Sequence, residues 1–133
     1  MLTFENQILD ISEIESLALK FCKSLRVGDV LMLRGEIGVG KTTFSRFIIN
    51  NLFSLNNFVK PETINSPTYP ILINYDLGTF EIYHYDFYRI KSIKELEELD
   101  FFENLQSSIT LIEWPELLIK TPFKQKYYLI SFN

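Results

Sequence analysis

Residues 30–44 read VLMLRGEIGVGKTTF. The apolar run at its start, residues 30–33, has the pattern of a strand that is buried on both faces. The residues that follow fit the spacing G-x-x-x-x-G-K-[S/T] without a mismatch, with Gly35, Gly40, Lys41 and Thr42 at its fixed positions. We therefore predict a buried strand, a glycine loop and a helix over about residues 41–53.

The glycine loop has the chemistry of a phosphate cradle. Glycines allow a close backbone approach that a Cβ would prevent, so that successive N–H groups point at phosphate oxygens. The positive end of the following helix dipole also favours an anion. Lys41 adds a positive charge near the outer phosphates, and the Thr42 hydroxyl is a candidate Mg²⁺ ligand. The predicted cradle comprises Gly35, Glu36, Ile37, Gly38, Val39, Gly40, Lys41, Thr42 and Thr43.

Composition narrows the class of protein further. The chain has 133 residues, of which 47% are hydrophobic, and this favours one globular domain over residues 1–133. Its 13 basic and 17 acidic residues give a net charge of −4, which argues against a protein that grips nucleic acid by itself. The single cysteine, Cys22, excludes an internal disulfide and a cysteine-based metal cage. We see neither a signal peptide nor a spanning segment, and we expect a cytoplasmic protein without membrane contact.

The remaining patterns complete an α/β fold of the P-loop NTPase type. We predict a mixed parallel and antiparallel central sheet with flanking helices, because two alternating segments separated by Leu77-Gly78-Thr79 indicate a hairpin. Capping boxes at Ser12 with Glu15 and at Ser92 with Glu95 predict two helix starts. The hairpin strands, the further strands and one long loop are predicted at residues 71–76, 80–85, 109–112, 127–132 and 55–68, after a short extended lead-in over residues 1–9.

Two acids follow predicted strands and are the candidate catalytic residues. Ligands of open α/β sheets lie at the carboxyl ends of the strands, and Asp86 and Glu113 occupy that position. Glu113 follows the more uniformly apolar strand and is the better candidate for the metal-side acid. A structural salt bridge is the alternative for either. Ser66 and Thr68, at the end of the long loop, are candidates for a nucleotide-sensing switch, with a plain proline turn as the alternative.

Side chains near these acids are open to more than one interpretation. His84 is more often a hydrogen-bonded structural residue than a catalyst, and Arg89 is a candidate partner of Asp86 or of a phosphate. Trp114 suits the core and a contact surface equally well. Cys22 suits a small apolar position on a helix face.

Four blocks of sequence together resemble one family. They are the glycine loop, Ser66-Pro67-Thr68-Tyr69, the pattern His84-x-Asp86-x-Tyr88-Arg89, and Glu113-Trp114-Pro115. In this order and spacing they resemble TsaE (formerly YjeE), the small bacterial ATPase of tRNA threonylcarbamoyladenosine biosynthesis. The resemblance covers about residues 10–118.

The resemblance implies an activity, a cofactor and partners. It implies ATP hydrolysis with Mg²⁺, which Thr42 and Glu113 would hold, with Asp86 as the Walker-B-like acid. The hydrolysis would reset a transferase complex of TsaD and TsaB, so that tRNA is contacted only indirectly. Family members usually continue into another strand with a glycine–arginine pair near the nucleotide. The sequence given ends at Asn133, and we expect weaker nucleotide binding or a substitute contact.

Two other functions remain as alternatives at this stage. A small-molecule kinase would share the same cradle and transfer the phosphoryl group to an acceptor. A nucleotide-binding or RNA-binding module without catalysis would need a basic stripe with exposed aromatics. The weak candidates for such a stripe are Lys120, Lys124 and Lys126 near Phe123.

Overall fold

The computed structural model describes residues 11–36 and 39–132. The predicted lead-in over residues 1–9 lies outside the described residues, as do Ile37 and Gly38 of the predicted cradle. The elements in chain order are α1 (Ile11–Ser24), β1 (Val30–Gly35), α2 (Val39–Leu55), β2 (Leu72–Asp76), β3 (Glu81–Asp86), α3 (Ile93–Glu98), α4 (Phe101–Asn104), a 3-10 turn (Leu105–Ser107), β4 (Ser108–Glu113), α5 (Glu116–Ile119) and β5 (Tyr128–Phe132).

The five strands form one mixed sheet in the order β2-β3-β4-β1-β5. Strand β1 lies between β4 and β5 and is parallel to both, and β4 is parallel to β3. Only β2 runs the other way, because the hairpin turn returns the chain directly into β3. The mixed α/β sheet with flanking helices is confirmed, and the carboxyl ends of β1, β3 and β4 meet at one edge.

Each face of the sheet carries its own layer of apolar packing. On one face, Leu31 and Leu33 of β1 pack with the buried side of α1 and α2. On the other face, Val30 and Met32 pack with residues of α3, α4 and α5. Strand β1 is therefore buried on both sides, as its continuous apolar run predicts.

Some predicted helix boundaries need correction. Helix α1 already includes Ile11, so Ser12 lies inside the helix and the predicted capping box with Glu15 is wrong. At α3 the prediction is confirmed, because the Glu95 carboxylate accepts a hydrogen bond from the Ser92 N–H at 2.9 Å. The sequence patterns did not predict α4 and α5, which have four residues each and are too short to show a helical period.

Helix α2 starts at Val39 and carries the residues of the glycine motif into its first turn. Its inward side is anchored by Phe44 and Ile48, which are fully buried against the sheet. This packing fixes the direction in which the first turn points, toward the carboxyl edge of β1. Among the described residues, no helix combines the length and apolarity needed to cross a membrane.

Candidate functional site

The two predicted acids lie side by side at the carboxyl edge of the sheet. Strands β3 and β4 are parallel, and their register pairs Asp86 with Glu113. Both side chains are almost fully buried, with exposed fractions of 4% and 3%. Burying a carboxylate costs free energy unless the charge has hydrogen-bond or ionic partners, so the contacts of these two acids indicate the chemistry of this edge of the sheet.

Glu113 connects helix α2 to strand β3 through its two oxygens. The Thr42 hydroxyl donates to Oε1 at 3.2 Å, and Nε2 of His84 lies 2.7 Å from Oε2. Thr42 and Glu113, the two residues that the family resemblance implies as holders of Mg²⁺, therefore lie within hydrogen-bond distance of each other, one in the glycine motif and one at the end of β4. His84 is fully buried.

Lys41 lies between the end of β1 and the two acids. Its side chain is 2% exposed, and its Nζ donates to the Gly35 carbonyl at 2.6 Å. The same Nζ lies 3.4 Å from the centroid of the Trp114 ring, a cation–π distance. Burial lowers the pKa of Lys41, and the negative charges of Glu113, Glu116, Asp86 and Glu36 oppose that shift.

Asp86 receives hydrogen bonds from its own turn and from the loop before β2. The Tyr88 N–H donates to Oδ1 at 2.9 Å, and the Thr68 hydroxyl donates to Oδ2 at 3.2 Å. Ser66 Oγ in turn lies 2.8 Å from Thr68 Oγ1. Burial raises the pKa of Asp86, and the neighbouring charge of Glu113 raises it further, against the lowering effect of these hydrogen bonds and of Lys41.

In the described part of the chain, Arg89 forms no hydrogen bond with Asp86 or with another carboxylate. Its guanidinium donates instead to the carbonyls of Thr68 at 2.7 Å and of Tyr69, and it lies 5.4 Å from the centroid of the Tyr69 ring. The interpretation of Arg89 as a partner of Asp86 is therefore wrong for this state of the protein. Arg89 attaches the end of the long loop to the end of β3.

Strand β5 packs across the glycine loop. Gly35 has a φ of 146°, and a Cβ there would lie 2.0 Å from the Phe132 carbonyl oxygen. At Gly40 a Cβ would lie 3.0 Å from the Phe132 ring. Close approach of the Phe132 backbone therefore requires glycine at position 35, whereas a side chain at position 40 would need the Phe132 ring to shift by a few tenths of an ångström. Of the rest of the predicted cradle, Glu36 is exposed and Thr43 is half-buried in α2.

The side chains at this edge of the sheet fit a Mg²⁺ ion that would take its other ligands from a nucleotide and from water. No group of three or more His, Cys, Asp or Glu side chains that could hold a metal occurs within residues 11–36 and 39–132. Mg²⁺ at nucleotide sites uses few protein oxygens and takes the rest from phosphates and water. One hydroxyl and one carboxylate, those of Thr42 and Glu113, lie within hydrogen-bond distance of each other and could supply those few oxygens.

Three contacts of the site were not predicted from the sequence. They are the Trp114 ring on Lys41, the packing of Phe132 on the glycines, and the bond of Arg89 to two carbonyls. For Trp114, the sequence offered one indication that it belongs to the site, namely its position directly after Glu113 at the end of a predicted strand. The other two contacts join residues 92–97 and 20–21 positions apart, and a local pattern does not encode such pairs.

Comparison with known proteins identifies relatives that match most of the chain. The family model described as "Threonylcarbamoyl adenosine biosynthesis protein TsaE" matches residues 8–133. A Rickettsia felis protein named tRNA threonylcarbamoyladenosine biosynthesis protein TsaE is 42% identical over 106 residues, which are 80% of this chain and 59% of that protein. A Borreliella burgdorferi protein of the same name is 34% identical over 90% of this chain and 86% of its own length.

A solved structure agrees with the fold. The crystal structure of Bacillus subtilis YdiB matches 93% of this chain and 73% of its own chain, with a TM-score of 0.58 and 23% identity. These relatives do not favour the small-molecule kinase alternative. The match to the family model over nearly the full length, together with relatives at 34–42% identity, shows that the chain belongs to the TsaE family of tRNA threonylcarbamoyladenosine biosynthesis proteins.

Proposed function

We propose that this protein is a Mg²⁺-dependent ATPase that serves threonylcarbamoyl modification of the adenosine beside the anticodon in tRNA. One observation carries the proposal: Lys41 and Thr42 of the first turn of α2 lie against Asp86 and Glu113 at the ends of two parallel strands. A triphosphate site needs a cradle, a cation and acids in this arrangement.

The first turn of α2 would bind the phosphates. Its free N–H groups and the positive end of the helix dipole favour an anion, and no acidic side chain lies in that turn among the described residues. Lys41 already has its Nζ at the loop, on the Gly35 carbonyl. In the bound state the same Nζ would donate to the outer phosphates. Burial lowers the pKa of Lys41, and a phosphate beside Nζ would favour the charged form of the amine.

The acids make the site dependent on a cation. Four carboxylates, those of Glu113, Glu116, Asp86 and Glu36, act electrostatically on one lysine, and this excess of negative charge would repel a bare triphosphate. Thr42 and Glu113 would hold Mg²⁺, which neutralises the charge that develops on the phosphate oxygens. Asp86, beside Glu113, would act with it as the second catalytic acid and orient water.

Intrinsic turnover should be slow, and partner proteins should raise it. Arginine side chains stabilise the transition state of phosphoryl transfer in fast P-loop enzymes. Here Arg34 donates to Ser131, Arg46 to the Ile64 carbonyl and Arg89 to the loop carbonyls, so none of these three is directed at the cradle. By family resemblance the partners are TsaD and TsaB, and the net charge of −4 suits indirect contact with tRNA.

We further propose that residues 1–133 form one ATPase domain that works in the cytoplasm. The single sheet with packed layers on both faces supports one domain. The family's role in tRNA modification supports the location. Thr68, whose hydroxyl reaches Asp86, and the neighbouring Ser66 are the proposed switch residues that would sense the nucleotide.

Hydrolysis assays with single variants test the proposal. We expect slow Mg²⁺-dependent ATP hydrolysis by the protein alone and at least a ~10-fold acceleration by TsaB with TsaD. Glu113→Ala should keep nucleotide binding and lose most turnover, and Glu103→Ala, an exposed acid on α4, is the matched control. Turnover that survives in Glu113→Ala and disappears in Asp86→Ala would mean that the roles of the two acids are exchanged. Absence of hydrolysis with and without the partners would contradict the proposal.

A further inference from the structure

His84 is a buried polar residue that the proposed chemistry does not use directly. It lies on β3 with no exposed surface, and its Nε2 is 2.7 Å from Oε2 of Glu113. Its other ring nitrogen, Nδ1, is buried without a hydrogen-bond partner in the part of the chain that the structure describes. The register partner of His84 on β4 is Leu111, so an apolar side chain would fit at position 84. Burying a polar ring there costs free energy, which suggests that the ring has a specific role.

The hydrogen-bond network assigns the tautomer of this ring. Since a carboxylate oxygen accepts, Nε2 carries the hydrogen and donates it to Glu113. In the neutral ring, Nδ1 then has a bare lone pair. Leaving a lone pair unpaired is the smaller cost here, whereas an N–H at Nδ1 would be a buried donor without an acceptor. The ring therefore donates in one direction only, toward Glu113.

This donation fixes how the Glu113 carboxylate is turned. One oxygen is occupied by His84, and the other, Oε1, is 3.2 Å from the Thr42 hydroxyl. With Oε2 tied to β3, rotation of the carboxylate would break the bond to the ring. Oε1 therefore stays directed at the first turn of α2.

We propose that His84 is a positioning residue, which holds the Glu113 carboxylate so that Oε1 and the Thr42 hydroxyl present a preformed pair of oxygens to the divalent cation of the bound nucleotide. The inference rests on the proposed function, because Glu113 is the proposed cation ligand. Partners of this kind orient metal ligands, and their loss typically costs about 10- to 100-fold in metal affinity or activity.

Two amide variants of His84, which differ in the reach of the side-chain nitrogen, separate a positioning role from a packing role. In His84→Gln the side-chain amide nitrogen can take the place of Nε2 and donate to Glu113. In His84→Asn the amide is too short to reach it. His84→Leu fills the space without burying an amide, and Thr110→Val removes a buried hydroxyl from β4 at a site away from the acids. Thermal unfolding identifies which variants are folded.

The measurement is Mn²⁺ binding, followed by electron paramagnetic resonance in the presence of a non-hydrolysable ATP analogue. We expect His84→Asn and His84→Leu to weaken Mn²⁺ binding by about 10-fold or more, and His84→Gln to stay within about threefold of the parent. Without a cation the analogue should bind more weakly to every protein, but its affinity in EDTA should differ by less than about twofold between the parent and the folded variants, because the glycine motif is unchanged. Thr110→Val should behave as the parent.

Other outcomes would overturn the inference. Unchanged Mn²⁺ affinity in folded His84→Asn or His84→Leu would show that His84 serves packing alone. A His84→Gln variant as defective as His84→Asn would exclude the donated hydrogen bond as the cause. Glu113→Gln distinguishes this failure from that of the proposed function: if it also leaves Mn²⁺ affinity unchanged, Glu113 is not a cation ligand and both proposals fall.

Discussion

Gly35 shows how one residue can satisfy two demands. The sequence motif predicts close approach of a phosphate at Gly35, and the structure shows another close neighbour there, the Phe132 carbonyl of β5. With a φ of 146° and a hypothetical Cβ 2.0 Å from that oxygen, the position excludes side chains on both conformational and steric grounds. The glycine is thus needed for the β1–β5 pairing even without a ligand.

The pair Gly35→Ala and Gly28→Ala tests that reading by urea unfolding. Gly28 also has a positive φ, 99°, but a Cβ there would meet nothing within 4 Å. We expect Gly28→Ala to lose about 1 kcal/mol of unfolding free energy from strain alone. Gly35→Ala should lose about 3 kcal/mol or more, because strain and overlap add. Equal losses would show that contact with Phe132 is unimportant.

Asp86 should lower the free energy of unfolding by an amount that depends on pH. Burial and the charge of Glu113 raise the pKa of Asp86 in the folded protein, so the folded state binds more protons than the unfolded state between the ordinary aspartate pKa of 3.8 and the raised pKa. The ionised form therefore costs stability at neutral pH, and the cost disappears as the pH falls through that window.

We expect Asp86→Asn, which keeps an acceptor for the Tyr88 N–H, to be more stable than the parent on the order of 1 kcal/mol at about pH 7.5. The difference in unfolding free energy should shrink as the pH approaches about 4. Urea titrations over this range measure it. A variant that is less stable at neutral pH, or a difference that does not vary with pH, would refute the account.

At the scale of elements, the loop between α2 and β2 is attached at two points by arginines. Arg46 of α2 donates to the Ile64 carbonyl at 3.0 Å, and Arg89 donates to the carbonyls of Thr68 and Tyr69. The segment then enters β2 through Ile71, a β-branched residue with a φ of 72°. The hydrogen bonds from Arg89 to the two carbonyls hold the Thr68 hydroxyl at Asp86. They also offset the conformational strain at Ile71.

Arg89→Ala should release this segment. We expect amide hydrogen exchange to become about 10-fold faster at Thr68 and Ile71, whose N–H groups are hydrogen-bonded, with little change in β1 and β4. In the variant, opening of the segment no longer has to break the two hydrogen bonds of Arg89. Arg89→Lys should restore protection only in part, since an ammonium lacks the planar fork. Arg26→Ala, an exposed arginine on the other side of the fold, is the control. Unchanged exchange in Arg89→Ala would mean that other contacts hold the segment.

For the whole molecule, most of the fold could be predicted from local patterns, whereas the site was predicted in its parts and not in its contacts. The apolar and alternating runs at residues 30–33, 71–76, 80–85, 109–112 and 127–132 predicted the five strands, and the hairpin signal predicted that the sheet is mixed. Asp86 and Glu113 follow from the rule that ligands lie at strand ends. The Trp114 ring on Lys41 and the Phe132 carbonyl at Gly35 depend on tertiary packing, which no local period carries.

Cys22 offers a probe of whole-molecule opening. It is buried between α1 and α2, its Sγ lies 3.3 Å from the Ile48 carbonyl, and burial raises its pKa to about 12. At about pH 8 only about one part in ten thousand is thiolate, so a disulfide reagent should react only after the protein opens. We expect labelling to follow unfolding in urea. Rapid labelling of the native protein would contradict the packing of α1 on α2.

The central claim is that the first turn of α2 binds a triphosphate through Lys41, and calorimetric titration with ATP and Mg²⁺ tests it most directly. Lys94, exposed on α3, provides the control substitution. We predict that Lys41→Ala weakens binding by at least about 30-fold, because a buried charged partner of the phosphates is removed, and that Lys94→Ala binds as the parent does. Equal affinity of Lys41→Ala and the parent for ATP would contradict the account.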